Sequence, residues 1–131
     1  MIRIKEIAPG VFLVTAPQIL KTNDFADFAP RVDAIIRADG KIRLLIDASA
    51  LEGWKDIAAL ETHSSFVKKH QQAVERIAVI VRHDWQHWLV GAVKVFLHPE
   101  VRVFEKDGAI NAMEWITGER KDRLSVMSAA E

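Results

Sequence analysis

The chain has 131 residues, half of them apolar, and its 18 basic side chains are balanced by 18 acidic ones for a formal charge of zero. That size supports one hydrophobic core, and the balance excludes the broad basic field through which nucleic-acid binders neutralise phosphates. Without cysteine it has no disulfide, thiolate nucleophile or thiolate metal ligand, in keeping with a cytoplasmic protein.

At the start, Ile2, Ile4 and Ile7, then Val11 and Leu13 around Pro9-Gly10, predict a β-hairpin. This stretch lacks the long apolar run of a signal peptide, and no run approaches the ~20 residues of a membrane span, so no integral membrane contact is expected. Thr22-Asn23-Asp24 supplies side-chain oxygens suited to a helix start. Beyond it Phe25, Phe28, Val32, Ile35 and Ile36 recur at three- and four-residue steps, the spacing of one buried helix face. Asp39-Gly40 stops that helix, and Ile42 to Ile46 forms a strand ending on Asp47.

A loop from Ala48 to Trp54 leads to a second helix from about Asp56 to Ala73, with Ile57, Leu60, His63, Val67, His70 and Val74 as its stripe. The unbroken apolar run Ile77 to Val81 predicts a central strand buried on both faces. Asp84, in N-cap position, opens a third helix on which Trp85, Trp88, Leu89, Ala92 and Phe96 share a face. Val101 to Phe104 is another strand, and Asp107-Gly108 begins a last helix carrying Ile110, Met113, Trp115 and Ile116. Residues 1–118 thus make one α/β domain, and the charged segment 119–131 is expected to be a flexible tail. Strands separated by helices of this length imply right-handed crossovers and a mixed, mostly parallel sheet with an N-terminal hairpin.

The segments "LLIDASALEGW" (44–54), "KKHQQAVERIAVIV" (68–81), the two tryptophans of "HDWQHWL", "EVRVFE" (100–105) and "INAMEWI" (110–116) resemble the SpoIIAA-like (STAS-like) family of small bacterial proteins. The likeness runs from the first hairpin to about Trp115. It implies a mixed sheet with β/α superhelical winding, in regulatory or ligand-binding modules rather than enzymes. In anti-sigma-factor antagonists of this fold, a strand ending in Asp leads to a phosphorylatable serine at the next helix start. Asp47 matches the strand end, but Trp54-Lys55-Asp56 occupies the helix start, so the resemblance implies that the switch is absent. Ser49 lies earlier in the loop and is a poor substitute.

His83-Asp84-Trp85-Gln86-His87 is spelled like the zincin H-E-x-x-H, with Asp for Glu. That chemistry needs both histidines one turn apart inside one helix, and here a strand ends immediately before His83. His63 and His70 are seven apart, about 10 Å along a helix, too far to share a metal. They suit amphipathic packing, and histidine at position 70 is also common in the family that the chain resembles. The loop offers a better candidate, because loops at the carboxyl ends of parallel strands are where open α/β sheets bind ligands. Ser49, Gly53, Trp54 and Lys55 lie there, and Trp85 and Trp88 follow the neighbouring strand and are expected to converge on the same edge.

A non-enzymatic module acting through a protein partner or self-association is the leading reading, with no catalytic residue and no cofactor. The alternatives are a carrier or sensor of a small apolar or amphipathic ligand held near the tryptophans, and an unrecognised hydrolase using the histidines. Purified protein is expected to hold no stoichiometric zinc. Elemental analysis finding about one zinc per chain, lost in His83→Ala or His87→Ala, would reverse the reading of that pair.

Overall fold

The computed structural model describes residues 1–118; the proposed tail, 119–131, lies outside the described residues. Arg3–Ala8 (β1) and Val11–Thr15 (β2) form the expected antiparallel hairpin, and Gly10 closes its turn at φ +72°, where a side chain would be strained. Pairing slips between Glu6 and Ala8, an irregularity that twists the outer strand. There follow Ile19–Leu20 (β3), Thr22–Asp39 (α1), Ile42–Asp47 (β4), Gly53–Trp54 (β5), Ile57–His70 (α2) and Val74–Val81 (β6). Asp84–Val93 (α3), Glu100–Glu105 (β7) and Ala109–Thr117 (α4) complete the described chain.

The main sheet runs β1-β2-β4-β6-β7, with β1 antiparallel and each remaining neighbour pair parallel. Sequence patterning predicted this mixed sheet. It did not predict β3 and β5, two residues each, which pair in parallel and fasten the loop after β4 to the segment after β2. The Glu52 amide donates to the Gln18 carbonyl and the Lys55 amide to the Leu20 carbonyl, at 2.7 and 2.8 Å.

α1 presents Phe25, Phe28 and Val32 to one sheet face, as its period required. Asp24 stands in its first turn and accepts from the Lys21 amide, so the helix begins slightly earlier than a cap on Asn23 or Asp24 would place it. α4 covers the opposite face with Ala112 and Ile116, both fully buried against Val11, Leu45 and Ala78. Its last turn is held by arginines from the sheet: Arg76 donates to the Trp115 carbonyl and Arg43 to the Ile116 carbonyl, at 3.0 and 3.1 Å. Cations at a helix C-terminus satisfy carbonyls that lack intrahelical partners. Arg76 and Arg102 also lie on the Trp115 ring, each 5.0 Å from its centroid.

Two predicted helix faces, those of α2 and α3, require correction, and α4 divides its apolar residues between the core and solvent. In α2 the inward residues are Ala59, His63, Phe66 and His70, whereas Ile57 and Leu60 are exposed. The Asp56 carboxylate caps this helix at the Ala59 amide, 2.9 Å, and that start turns Ala59 toward the core. In α4, Ile110 and Met113 point outward because the small Ala112 takes the contact with the sheet. In α3 Trp88 and Ala92 are exposed and the buried residue is Gln86; the helix ends at Val93, and Phe96 stands exposed in the 3-10 turn, Lys94–Phe96, that follows.

Gln86 also displaces Asp84 from its expected role. The N-cap of α3 is His83, and Gln86 Oε1 accepts from the amides of both Arg82 and His83 at 2.9 Å. Its Nε2 donates to the Ala48 carbonyl at 2.7 Å. One buried amide therefore satisfies three backbone groups at the ends of β4 and β6. Gln86→Leu leaves all three without that partner and should cost about 3 kcal/mol in urea unfolding. Asp84→Ala, which removes only a favourable first-turn charge, should cost about 0.5 kcal/mol. Equal losses would show that Gln86 is not the fastening.

Candidate functional site

Because β4 and β6 are adjacent and parallel, the segments that follow them open on one edge of the sheet. The Ala48 amide donates to the Ile80 carbonyl at 2.9 Å, which aligns the two strand ends. Asp47, at the end of β4, folds the next turn onto itself. Its Oδ1 accepts from the Ser49 amide at 3.0 Å and from the Ser49 hydroxyl at 2.6 Å. Ser49 is buried and its hydroxyl is committed to that turn.

Gly53 adopts φ +156°, a backbone conformation that a side chain would strain, and it delivers Trp54 inward from the loop. Trp54 and Trp85 meet edge to face, with ring centroids 5.9 Å apart. Both are half-buried against the core under α1 and α2. The geometry brings together the two tryptophans that sequence spacing placed on a shared edge. Trp88 does not join them; it lies on the outer side of α3. Lys55 is exposed beside this edge. Arg82 donates to Glu52 at 3.1 Å across the gap between the two loops, and His83 stacks on Trp85 with centroids 6.2 Å apart.

Sequence spacing did not identify the partner of Trp54. Its Nε1 donates to His63 Nδ1 at 3.0 Å, and the His63 ring stacks on Phe25, centroids 5.1 Å apart. His63 is therefore the acceptor in a buried contact linking the loop, α1 and α2. Its pKa is lowered from 6.5 because burial penalises the charged ring. His70 plays a separate structural part: Nδ1 donates to the Phe66 carbonyl at 2.8 Å and Nε2 faces Asp33 at 2.7 Å.

His83 and His87 are directed to different neighbours. His87 Nε2 sits 2.6 Å from Glu105, while His83 Nε2 lies near Arg82 and 3.8 Å from Glu52. Among the described residues, no three His, Asp or Glu side chains form a group able to hold a metal. A depression of about 440 Å³ lies at the hairpin among Arg3, Lys5, Leu13, Thr15 and Arg31, and none of the candidate residues lines it. Among the described residues, no helix is long and apolar enough to cross a membrane.

The chain belongs to the SpoIIAA-like family, whose model matches residues 11–117. Its fold is similar to that of an uncharacterised Shewanella loihica PV-4 protein with a SpoIIAA-like fold, at 22% identity and TM-score 0.75, covering 88% of this chain and 92% of that one. It is also similar to the anti-sigma factor antagonist SpoIIAA in its unphosphorylated form, at 7% identity and TM-score 0.63, over 87% of this chain and 98% of that one. The phosphorylated form of SpoIIAA, a Bacillus cell fate determinant, is similar at 7% identity and TM-score 0.58, over 86% of this chain and 99% of that one. No curated protein matches the chain.

The lowered pKa of His63 makes stability depend on pH. The unfolded chain binds a proton there near its ordinary value of 6.5, whereas the folded chain resists it. The contribution is complete above about pH 6.5 and is lost as pH falls below that value. Unfolding free energy should therefore decline as pH falls from about 7.5 to about 5, while the folded chain keeps His63 neutral and its bond from Trp54 intact. In His63→Gln, which keeps an acceptor and cannot titrate, the decline should be shallower. An unchanged slope would assign the pH dependence to other groups.

Proposed function

We propose that this protein is a non-enzymatic regulatory module that docks a protein partner on the edge formed by the start of α2 and the loop after β4. The observation that carries this is the first turn of α2. Ile57 and Leu60 stand exposed there beside Lys55, on a helix whose start is rigidly capped by Asp56. Exposed apolar residues rimmed by charge are suited to protein contact. The Trp54–Trp85 pair gives the loop before α2 a fixed shape, with Gly53 setting its approach and the Glu52–Arg82 pair tying it to the end of β6.

In this reading the module works without a serine switch. Asp56 caps the helix where an acceptor hydroxyl would be needed, and the Ser49 hydroxyl is held by Asp47 in a buried turn. The carrier reading has weaker support, because the two indoles pack directly on each other and Trp54 spends its N–H on His63. A cytoplasmic location accords with the cysteine-free composition.

Affinity capture from a lysate of the source cells, quantified by mass spectrometry, tests this directly. A partner held by the unaltered chain should be lost with Ile57→Glu or Lys55→Glu and kept with Ile110→Glu, on the helix that covers the other face. The intact mass of the chain from the same preparation should show no added phosphoryl group. A partner insensitive to both edge variants, or phosphate on Ser49, would overturn the proposal.

A further inference from the structure

α3 carries a second apolar surface, apart from the start of α2. Trp88, Val95 and Phe96 are 73%, 73% and 81% exposed, and Val93 is 41% exposed. Between Trp88 and Phe96 the single charge is Lys94. Trp88, Gly91 and Ala92 fall within about one third of the circumference of α3, and Val95 stands in the single 3-10 turn, Lys94–Phe96, that continues it.

Gly91 is the informative member. It lies inside α3, where glycine costs about 1 kcal/mol relative to alanine. Its φ is not positive, and a Cβ built there meets nothing within 4 Å. Nothing within the described chain calls for a glycine at this point. A bare patch of helix flanked by an indole and a valine suits the close approach of another backbone.

We propose that α3 and the turn after it pair with the same surface of a second copy, the two helices crossing antiparallel at Gly91–Ala92. A two-fold axis at that point sets Trp88 of each copy against Val95 of the other, a large side chain against a small one. Phe96 closes the rim. The exposed apolar side chains supply roughly 500 Å² per copy. The pair would thus bury on the order of 1,000 Å², near the lower bound for a specific interface. With a formal charge of zero, two copies approach without net repulsion. Such a pairing leaves Lys55 and Ile57 outside the contact, so it stands or falls separately from the partner surface on α2.

Sedimentation velocity of the full chain from about 1 µM to about 1 mM measures the pairing. The unaltered chain should dimerise with a Kd on the order of 10 to 100 µM. Gly91→Gln, which has the better helix propensity, and Val95→Glu should each weaken dimerisation at least tenfold. At about 1 µM, Gly91→Gln should unfold at a temperature no lower than that of the unaltered chain. Ile57→Glu should dimerise normally. A chain monomeric at 1 mM, a dimer unaffected by both α3 variants, or one lost with Ile57→Glu alone would overturn the proposal. So would binding of lipid vesicles or a different protein through Trp88 in a chain that does not self-associate.

Discussion

The carboxyl edge of the sheet depends on the buried Gln86 amide. Two parallel strands that end side by side leave backbone groups pointing into a space where water is partly excluded, and each group needs a partner. Gln86 accepts from the first two residues beyond β6 and donates to the first residue beyond β4. With those ends tied, α3 has a fixed origin, Trp85 has a fixed direction, and the loop leading to Trp54 has a fixed base. The Asp47–Ser49 turn, the short β3–β5 ladder and the Trp54–His63 bond then add to a frame already set.

Packing on the two faces follows different rules. On the α1 side, aromatic rings fill the volume: Phe25, Phe28 and Phe66 interlock, with His63 and His70 stacked among them. On the α4 side the fit is closer, since Ala78 and Ala112 are both completely buried. Arginines from β4 and β6 secure the end of α4, and Arg76 remains buried because Glu100 and the helix carbonyl meet its guanidinium.

Long apolar periodicities were legible in the sequence: the hairpin, the α1 stripe, and the run of β6 with its place inside the sheet, between β4 and β7. The shared edge of Trp54 and Trp85 was legible too, because it follows from strand direction alone. Faces decided by small or polar residues were not. Ala59 and Ala112 carry too little hydrophobic signal to outweigh Ile57 and Ile110, although each occupies a contact that excludes a larger side chain. Gln86 has the appearance of a surface residue until its three backbone partners are known. Trp88 was expected to converge with Trp85 on one edge and stands instead on the outer side of α3, since Gln86 rather than an apolar residue fixes the rotation of that helix. The Trp54–His63 bond joins two elements whose separation depends on tertiary packing, and spacing has no access to it.

The hairpin irregularity at Glu6 and Ala8 bears on how this molecule meets its own kind. Among the described residues the five-stranded sheet has two unpaired borders, β1 and β7, each a template for a foreign strand. On β1 that border is crowded with Arg3, Lys5 and Glu6 and bent out of line, while β7 carries Glu100, Arg102 and Glu105. Charge at both margins, joined on β1 by curvature, discourages the sheet from lengthening, either into a continuous two-copy sheet or into a fibril. Stable company for this protein must come against its helices, where side chains and not backbone ladders choose the neighbour.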